Sequence, residues 1–457
     1  MESSDALLSF RNSFYECLHR RGDALFELTD AILSADAAVP SPVHLSLQAS
    51  HHRGWGSLYA ALDRGQIDDE TLRKLLARHP LSGSAATTPV YAVDTSVWPR
   101  CDAECSPERG YYYHPSRHSA GQPIVAGWAY QFVAQLNFVR ESWTAPVDVE
   151  RVRPAQDANV VAAEQVSSFL RRRRSSCEEG TTASPLFVFD AGYDPVKVQQ
   201  GLEGCPCQIL LRLRAGRRFY GDPSLCDPPE HIGRPRRHGP KMKCSDPLTW
   251  PEPSAEHHCQ DAAYGSVRVR AWAEMHPKVN NHPRKGTRGP LPIVVGTLIL
   301  VEVERLPRGE RRREPRVLWL WWHHPEGTAP DLDLIWRSYV RRFDLEHTLR
   351  FLKQSMGWTT PRVRHPEQAD RWSWLVVAAY TQLRLARERV ADMRLPWERR
   401  YDRGRLTPVR VHRVVSSLLV EVGTPAKAPK PCGRSPGRPK GSLSGRAKRY
   451  PAIKTAA

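Results

Sequence analysis

The sequence predicts an α/β protein with a covered central sheet, and two observations support this. Two short apolar runs, residues 90–93 and 186–189, are each followed at once by an aspartate, Asp94 and Asp190. Strands that are apolar on both faces are typical of a sheet covered by helices, whose ligand site lies at the carboxyl ends of its strands. Residues 156–171, between the two runs, have the pattern of a crossover helix. We therefore expect Asp94 and Asp190 to lie side by side.

Composition and charge limit the classes of function. The chain has 457 residues, 40% of them hydrophobic, which suffices for sizeable cores and argues against a fully disordered protein. Lys and Arg number 67 against 49 Asp and Glu, so the formal charge is +18. A polyanionic partner is expected, nucleic acid first and an anionic membrane surface second. No apolar stretch reaches the ~20 residues of a spanning helix and no secretory signal is visible, so we expect an intracellular protein.

Changes in composition predict five segments. They are an N-terminal helical domain (1–85), the first part of the core (86–200), a β-rich insertion (201–315), the second part of the core (316–420) and a disordered basic tail (421–457). The insertion is interpreted as separate from the parallel sheet. The tail contains nine Lys or Arg and no acid after Glu421, which is typical of a solvated, unstructured segment.

Local patterns predict further elements within these segments. Strands are expected at residues 127–133, 135–140, 208–214, 266–273, 293–304 and 316–322. Helices are expected at residues 56–64, 69–78 and 371–390, and a long helix is expected from Thr328 and Pro330 to about residue 356, ended by Gly357. The two N-terminal helices fit either a DNA-binding helix-turn-helix or a plain helical hairpin.

The long helix carries the most informative pattern. One stripe, roughly 80° wide at about 100° per residue, combines a phenol, one carboxylate and three cations. Its members are Tyr339, Arg342, Glu346, Arg350 and Lys353. A solvent-exposed face with charge pairs four residues apart is the usual origin of such a stripe. The excess of cations around a single acid, with two more acids available at strand ends, favours a catalytic origin instead.

Three such carboxylates fit two-metal phosphoryl chemistry. Two Mg²⁺ ions about 4 Å apart need carboxylates that bridge and flank them. Mg²⁺ prefers oxygen ligands and retains some waters. Asp94 and Asp190 from adjacent strands, joined by Glu346 from a helix, would supply these ligands, and the neighbouring cations would hold the phosphates of a DNA strand.

At this point the sequence resembles a known family. The run from Tyr339 to Lys353 matches Tyr-x₂-Arg-x₃-Glu-x₆-Lys without a gap. This signature is that of bacterial insertion-sequence transposases of the Asp-Asp-Glu type. Asp94 and Asp190, in Val93-Asp-Thr-Ser96 and Phe189-Asp-Ala-Gly192, look like the family's first two acid motifs. The resemblance covers roughly residues 85–395.

The resemblance implies a fold, an activity and a set of site residues. It implies a ribonuclease-H-like catalytic core, with the β-rich insertion between the second Asp and the Glu. The activity is Mg²⁺-dependent cleavage at insertion-sequence ends followed by strand transfer, with Mn²⁺ as an alternative ion. The implied partners are double-stranded DNA, both as terminal inverted repeats and as target, and a second copy of the chain in a synaptic homodimer. No membrane partner is implied, and the implied localisation is the bacterial cytoplasm, in association with the nucleoid. Asp94, Asp190 and Glu346 would bind metal, whereas Tyr339, Arg342, Arg350 and Lys353 would contact DNA.

Basic and aromatic residues outside the helix are further DNA-binding candidates. The loop 233–243 contains five basic residues and no acid, among them Arg234, Arg236 and Arg237, and is either a phosphate-binding loop or a solvated one. Arg438, in Gly-Arg-Pro, resembles the core of an AT-hook, although non-specific attraction of phosphates is the alternative. The family's flipped-base pocket uses a Trp of the insertion, for which Trp272 and Trp250 are candidates, and a core position is the alternative for each.

Several alternatives stay open on the sequence alone. Asp102 competes with Asp94, Asp194 with Asp190, and Asp344 with Glu346, although each is less well placed in its strand or helix. A catalytically inactive, transposase-derived DNA-binding protein is the second hypothesis. A zinc-dependent nucleic-acid-binding protein is the third, because Cys244 precedes His257, His258 and Cys259. The spacing of the ten cysteines matches no common zinc motif, so free thiols are expected.

Overall fold

A computed structural model describes most of the chain, in the ranges 2–35, 38–81, 88–118, 122–139, 142–176, 183–225, 236–280, 290–307, 317–402, 405–430, 437, 439–442 and 445–455. The chain divides into two compact units. Unit 1 contains residues 1–83, 95–157 and 344–457, and unit 2 contains residues 84–94 and 158–343. In the described part of the chain, no helix combines the length and the apolar character that crossing a membrane requires.

Eleven α-helices, two short 3₁₀ helices and fourteen strands occur in the described residues. The helices are α1 (Glu2–Glu16), α2 (Gly22–Leu33), α3 (Pro42–Leu45), α4 (Trp55–Arg64), α5 (Asp69–Ala77), α6 (Ala158–Ser176), α7 (Pro195–Gly201), α8 (Leu332–Arg341), α9 (Phe343–Gln354), α10 (Pro366–Ala386) and α11 (Pro408–Val422). The strands are β1 (Leu18–Arg20), β2 (Gln66–Ile67), β3 (Val90–Pro99), β4 (Gly110–His118), β5 (Gln122–Gln135), β6 (Ala145–Val152), β7 (Leu186–Phe189), β8 (Gln208–Leu213), β9 (Arg218–Tyr220), β10 (Lys241–Lys243), β11 (Ala255–Asp261), β12 (Gly265–Pro277), β13 (Gly296–Val303) and β14 (Leu318–His323).

Unit 2 is built on a mixed sheet with the order β10-β9-β12-β13-β14-β8-β7-β3, to which β11 adds by pairing with β12. Strands β3, β7 and β8 are parallel, and the other pairs are antiparallel. The predicted apolar strands at 90–93 and 186–189 are confirmed, and both are buried. Helix α6 covers them, because the ring of Phe169 lies 4.8 Å from that of Tyr91 and 6.2 Å from that of Phe187.

Two expectations about this sheet are wrong. Strand β8 pairs in parallel with β7, so the parallel sheet continues past residue 201, where we expected an insertion of separate structure. Strand β3 does not end at Asp94 but runs on to Pro99, and only its parallel pairing with β7 stops at Val93. Strand β3 has β7 as its neighbour on one side and β5 on the other, so it continues beside β5 after its pairing with β7 has stopped.

Unit 1 combines helices with the strands β4, β5 and β6. The long strand β5 pairs antiparallel with both β4 and β6, along different halves of its length. The predicted strand at 135–140 is wrong, since β5 ends at Gln135 and residues 136–138 have no regular structure. Strands β4 and β6 were not predicted, because their polar residues and prolines obscure any alternation of apolar and polar positions.

Helix α10 lies at the centre of the helical part of unit 1. Of its 21 residues, 16 are buried, and it contacts α1, α2, α4 and α11. The predicted helices at 56–64 and 69–78 are observed as α4 and α5. One buried polar group joins these helices: Arg11 of α1 forms a bidentate pair with Asp30 of α2 and donates to Gln382 of α10.

The long helix predicted from Thr328 to about residue 356 is interrupted. Helix α8 starts at Leu332, because the Asp331 side chain caps it by accepting from the Leu334 N–H, and it ends at Arg341. The Arg342 N–H is shared between the carbonyls of Ser338 and Tyr339, at 3.1 and 3.2 Å, which tightens the turn before α9 begins. The predicted stripe of Tyr339, Arg342, Glu346, Arg350 and Lys353 assumed one continuous helix. It therefore applies only within α8 and within α9, each taken by itself.

The basic tail is more ordered than predicted. In the described residues after α11, the chain around Tyr450 and Ile453 lies along the segment that precedes and opens β4. The Tyr450 N–H donates to the carbonyl of Glu104, and the Ile453 N–H donates to that of Arg109. Backbone hydrogen bonds of this kind do not depend on side chains, which is why the composition gave no sign of them.

Gly357 ends the α9 region, as expected, and provides a test of this geometry. Its φ is +67°, and an added Cβ would lie 2.7 Å from the Cβ of Val39. We expect Gly357→Ala to lower the free energy of unfolding by about 1–3 kcal/mol, from left-handed strain plus overlap. The measurement is urea unfolding, with Gly327→Ala as a matched control: its φ is +65°, but an added Cβ meets no atom within 4 Å. Equal losses in the two variants would contradict a packing role for Gly357.

Candidate active site

Asp94 and Asp190 lie at neighbouring positions in unit 2, where the parallel pairing of β3 with β7 ends. Val93 of β3 is paired with Phe189 of β7, so the next residue on each parallel strand is an aspartate. Val93 and Phe189 are fully buried, whereas the side chains of Asp94 and Asp190 are 19% and 38% exposed to solvent. Two solvent-accessible carboxylates therefore lie next to each other beside the buried apolar strands, as the sequence predicts.

Arg342 bridges these two carboxylates. Its Nη1 lies 3.2 Å from Asp94 Oδ2, and its Nη2 lies 3.6 Å from Asp190 Oδ1. The side chain is only 2% exposed and lies between the rings of Tyr339 and Phe343, at 5.7 and 5.2 Å. A single buried guanidinium thus compensates two carboxylates, which would otherwise repel each other.

Tyr339 forms the second contact between α8 and the acids. Its hydroxyl donates to Asp190 Oδ1 over 3.4 Å, a long hydrogen bond. Burial raises the pKa of the Tyr339 phenol, an effect opposed by the positive charges of Arg342 and Arg212. The phenol therefore keeps its proton at neutral pH and acts as a donor.

Arg212 is a site residue that the sequence analysis missed. It lies on β8, half-buried, and its side chain is hydrogen-bonded to the Tyr339 hydroxyl. One signal was present: Arg212 is the only charged residue in the strand Gln-Ile-Leu-Leu-Arg-Leu, where an arginine would have to be paired. The structure thus places a second cation beside the phenol.

The remaining residues of the helix signature belong to unit 1. Glu346 lies in the first turn of α9 and is half-buried, whereas Arg350 is exposed to solvent. Lys353 is half-buried, and its Nζ lies 5.7 Å from the centre of the Trp358 ring. Within α9 these three residues follow at intervals of four and three, so they share one helix face.

The competing acids have other partners. Asp194 caps α7, where its carboxylate accepts from the N–H groups of Val196 and Lys197, and it pairs with Arg217 at 3.3 Å. Asp102 lies at an exposed turn, 3.9 Å from Arg100. Asp344 precedes Glu346 in the first turn of α9, on a different side of that helix.

Trp272 is buried in an aromatic cluster and is only 2% exposed. Its indole N–H donates to the Pro251 carbonyl, and its ring packs against Trp250 and Trp319, at 6.0 and 5.6 Å. Trp250 is half-buried and therefore the more accessible of the two candidates. The guanidinium of Arg270 lies over both rings, at 5.2 and 5.8 Å.

The basic candidates outside the helices are only partly described. Arg236 is exposed, and Arg237 is half-buried and donates a hydrogen bond to the carbonyl of Leu291. Arg234 and Arg438 lie outside the described residues.

A family model described as DDE superfamily endonuclease matches residues 13–278, more than half of the chain and a range that includes both aspartates. The chain belongs to the DDE superfamily endonucleases. The large mixed sheet of this DDE endonuclease is consistent with a ribonuclease-H-like fold. The match ends before the Tyr339–Lys353 signature. Among curated proteins, none matches the chain.

The residues of the site fit a divalent metal ion. Asp94 and Asp190 offer only oxygen ligands, which Mg²⁺ and Mn²⁺ prefer. The buried guanidinium between them shows that the two carboxylates together stabilise positive charge at this position.

The variant Arg342→Gln tests whether Arg342 compensates the negative charges of Asp94 and Asp190. In the absence of metal, we expect a loss of about 1–3 kcal/mol in the free energy of unfolding, less than for a fully buried pair because the carboxylates are partly exposed. Added Mg²⁺ should restore more stability to the variant than to the wild type, since ligand binding to the native state adds to its stability. Urea unfolding with and without Mg²⁺ measures both, with Arg341→Gln on the same helix as control. Identical metal responses in wild type and variant would contradict the idea.

Proposed function

We propose that this DDE endonuclease is a transposase that cleaves DNA at the ends of an insertion sequence and joins them to target DNA. The observation that carries the proposal is the pair Asp94–Asp190 on adjacent parallel strands, held by a helix that begins the Tyr-Arg-Glu-Lys signature. Belonging to the DDE endonucleases implies a DNA substrate.

Asp94, Asp190 and Glu346 are proposed as the metal-binding and catalytic acids. DDE endonucleases usually use divalent metals, and we propose two Mg²⁺ ions, replaceable by Mn²⁺. When bound, such ions activate a water or a 3′-hydroxyl and stabilise charge on the phosphate. Glu346 is assigned by its place in the signature, which puts it in the first turn of α9.

The surrounding residues of unit 2 are proposed to prepare the acids. Arg342 holds both carboxylates in place while no metal is bound, and the protonated Tyr339 orients Asp190. Arg212 keeps the phenol in that position from β8. Because Arg342 is buried among these groups, we assign it to positioning and not to a free phosphate-binding surface.

DNA contacts are proposed on the more accessible cations. Arg350 and Lys353 lie on the face of α9 that Glu346 shares, and Arg236 and Arg237 lie on the basic loop. Arg234 and Arg438 remain candidates from the sequence. Trp250 is better suited than Trp272 to stack on an extruded base, since part of its surface is exposed. Contacts to phosphates predict that the affinity for DNA falls steeply with salt concentration.

An assay on the whole protein tests the proposal. Purified protein is incubated with a linear DNA that carries the element's terminal inverted repeats, a supercoiled target and Mg²⁺. The expected products are 3′-hydroxyl ends at the repeats and joined target DNA, neither of which forms in EDTA. Binding without cleavage in Mg²⁺ or Mn²⁺ would favour an inactive DNA-binding descendant. Cleavage without joining would support an endonuclease and contradict the transposase.

A further inference from the structure

Strand β11 presents an unusual set of side chains on one face. Side chains alternate along a strand, so His257, Cys259 and Asp261 point to the same side. These three residues are half-buried, whereas Glu256, His258 and Gln260 are exposed. Strand β11 pairs with β12, and its inner face lies against the first turn of α8.

Asp333 in that first turn completes a compact cluster. One ligand atom each from His257, Cys259 and Asp333 lie within 4.8 Å of one another. His257 Nε2 lies 3.4 Å from Asp333 Oδ1. With zinc–nitrogen and zinc–oxygen bonds of about 2.1 Å, two ligand atoms of a tetrahedral site are about 3.4 Å apart. The observed separation is compatible with two atoms that share a zinc ion.

The His257 nitrogen that faces the cluster makes no hydrogen bond in the described residues. This atom, Nε2, is shielded from solvent. A shielded polar atom without a partner is costly, so a native structure normally supplies one. An ion bound between the imidazole, the thiol and the carboxylate would remove this cost.

We propose that His257, Cys259 and Asp333 form a zinc site, distinct from the Asp94–Asp190 pair. Imidazole and thiolate ligands favour Zn²⁺ over Mg²⁺ or Ca²⁺, which bind oxygen. The fourth position is left to water, because Asp261 is already occupied by the N–H groups of Ala263 and Tyr264 and by Arg337. The site fastens the outer strand β11 to the start of the helix that carries Tyr339.

The charges around the cluster are compatible with zinc. A thiolate and one carboxylate neutralise Zn²⁺, and the charge of Arg337 is matched by Asp261, 3.3 Å away. Arg337 also contacts Asp333 through its Nε, at 2.9 and 3.0 Å, and Trp336 donates to the same carboxylate. These partners hold the carboxylate from outside and orient it toward the cluster.

The test uses the full-length protein, stripped with EDTA and titrated with Zn²⁺ or Co²⁺ at micromolar concentration. We expect one tightly bound ion and a thiolate-to-cobalt charge-transfer band. Cys259→Ser should abolish the band, and Cys259→Ser and His257→Gln should each weaken binding more than about 100-fold, a loss greater than that typical of an outer-shell change. His258→Gln, on the exposed face of the same strand, is the matched control and should bind like the wild type.

Two results would overturn the site. One is the absence of a bound ion at micromolar zinc, and the other is an unchanged charge-transfer band in Cys259→Ser. The Asp94→Asn/Asp190→Asn variant separates this site from the acid pair, since it should keep the zinc while losing DNA cleavage. Circular dichroism in EDTA shows whether each variant is folded before metal is added, and zinc should raise the melting temperature of the wild type but not that of Cys259→Ser.

Discussion

Asp190→Asn and Asp94→Asn should each lower the rate of DNA cleavage more than about 100-fold while leaving DNA binding intact. Loss of an outer-shell partner of a metal ligand already costs 10- to 100-fold, and these substitutions remove a charged ligand itself. The amide keeps the shape of the side chain, so the fold is preserved. Cleavage rates in Mg²⁺, with binding measured separately by gel shift, decide the prediction. Glu346→Gln should behave in the same way if it is the third acid.

Neighbouring acids provide the controls for this experiment. Asp194→Asn removes a carboxylate four residues after Asp190, but asparagine is an equally good helix cap, so cleavage should remain near that of the wild type. Asp344→Asn is the corresponding control for Glu346→Gln, and its cleavage rate should also remain near that of the wild type. An inactive Asp194→Asn beside an active Asp190→Asn would reverse the assignment of the second acid.

Arg11→Met should lower the free energy of unfolding by about 3–5 kcal/mol, the cost of leaving a buried charge without its partner. Arg11 is completely buried and donates to both carboxylate oxygens of Asp30, at 2.7 and 3.0 Å. The same guanidinium donates to the Gln382 side chain and to the Gly423 carbonyl. Urea unfolding measures the loss, for which Arg64→Met, at an exposed pair, is the control and should change stability by less than about 1 kcal/mol.

The charge left on Asp30 also predicts a pH dependence. Burial raises the pKa of Asp30 even in the wild type, where Arg11 opposes that effect. Without Arg11, the pKa in the folded state should rise further above the unfolded value. A raised folded pKa means that stability is greatest below the unfolded pKa and is lost as the pH rises through the folded one. The deficit of Arg11→Met should therefore shrink at acidic pH, and the double variant with Asp30→Leu should recover part of the stability at neutral pH.

The sequence by itself determined the frame of the candidate site. Two apolar runs that each precede an aspartate sufficed to place Asp94 and Asp190 together. The reason is that parallel strands carry their carboxyl ends to the same side of a sheet, whatever the rest of the chain does. Helices α4, α5 and α10 were also predicted, because apolar residues recur locally in each, and α5 has acidic residues in its first turn as a start signal. The start of α10 at Pro366, five residues before the predicted one, was missed.

Only the tertiary structure decided what the side chains around that frame do. The sequence predicted Arg342 as a DNA-contacting cation, yet its side chain is buried against Asp94, 248 residues away in the chain. Arg212 beside Tyr339, and Asp333 beside Cys259, are likewise brought together from separate elements. Such contacts leave no local period in the sequence, since the energy of a buried charge or ligand depends on its partner in space and not on its neighbours along the chain.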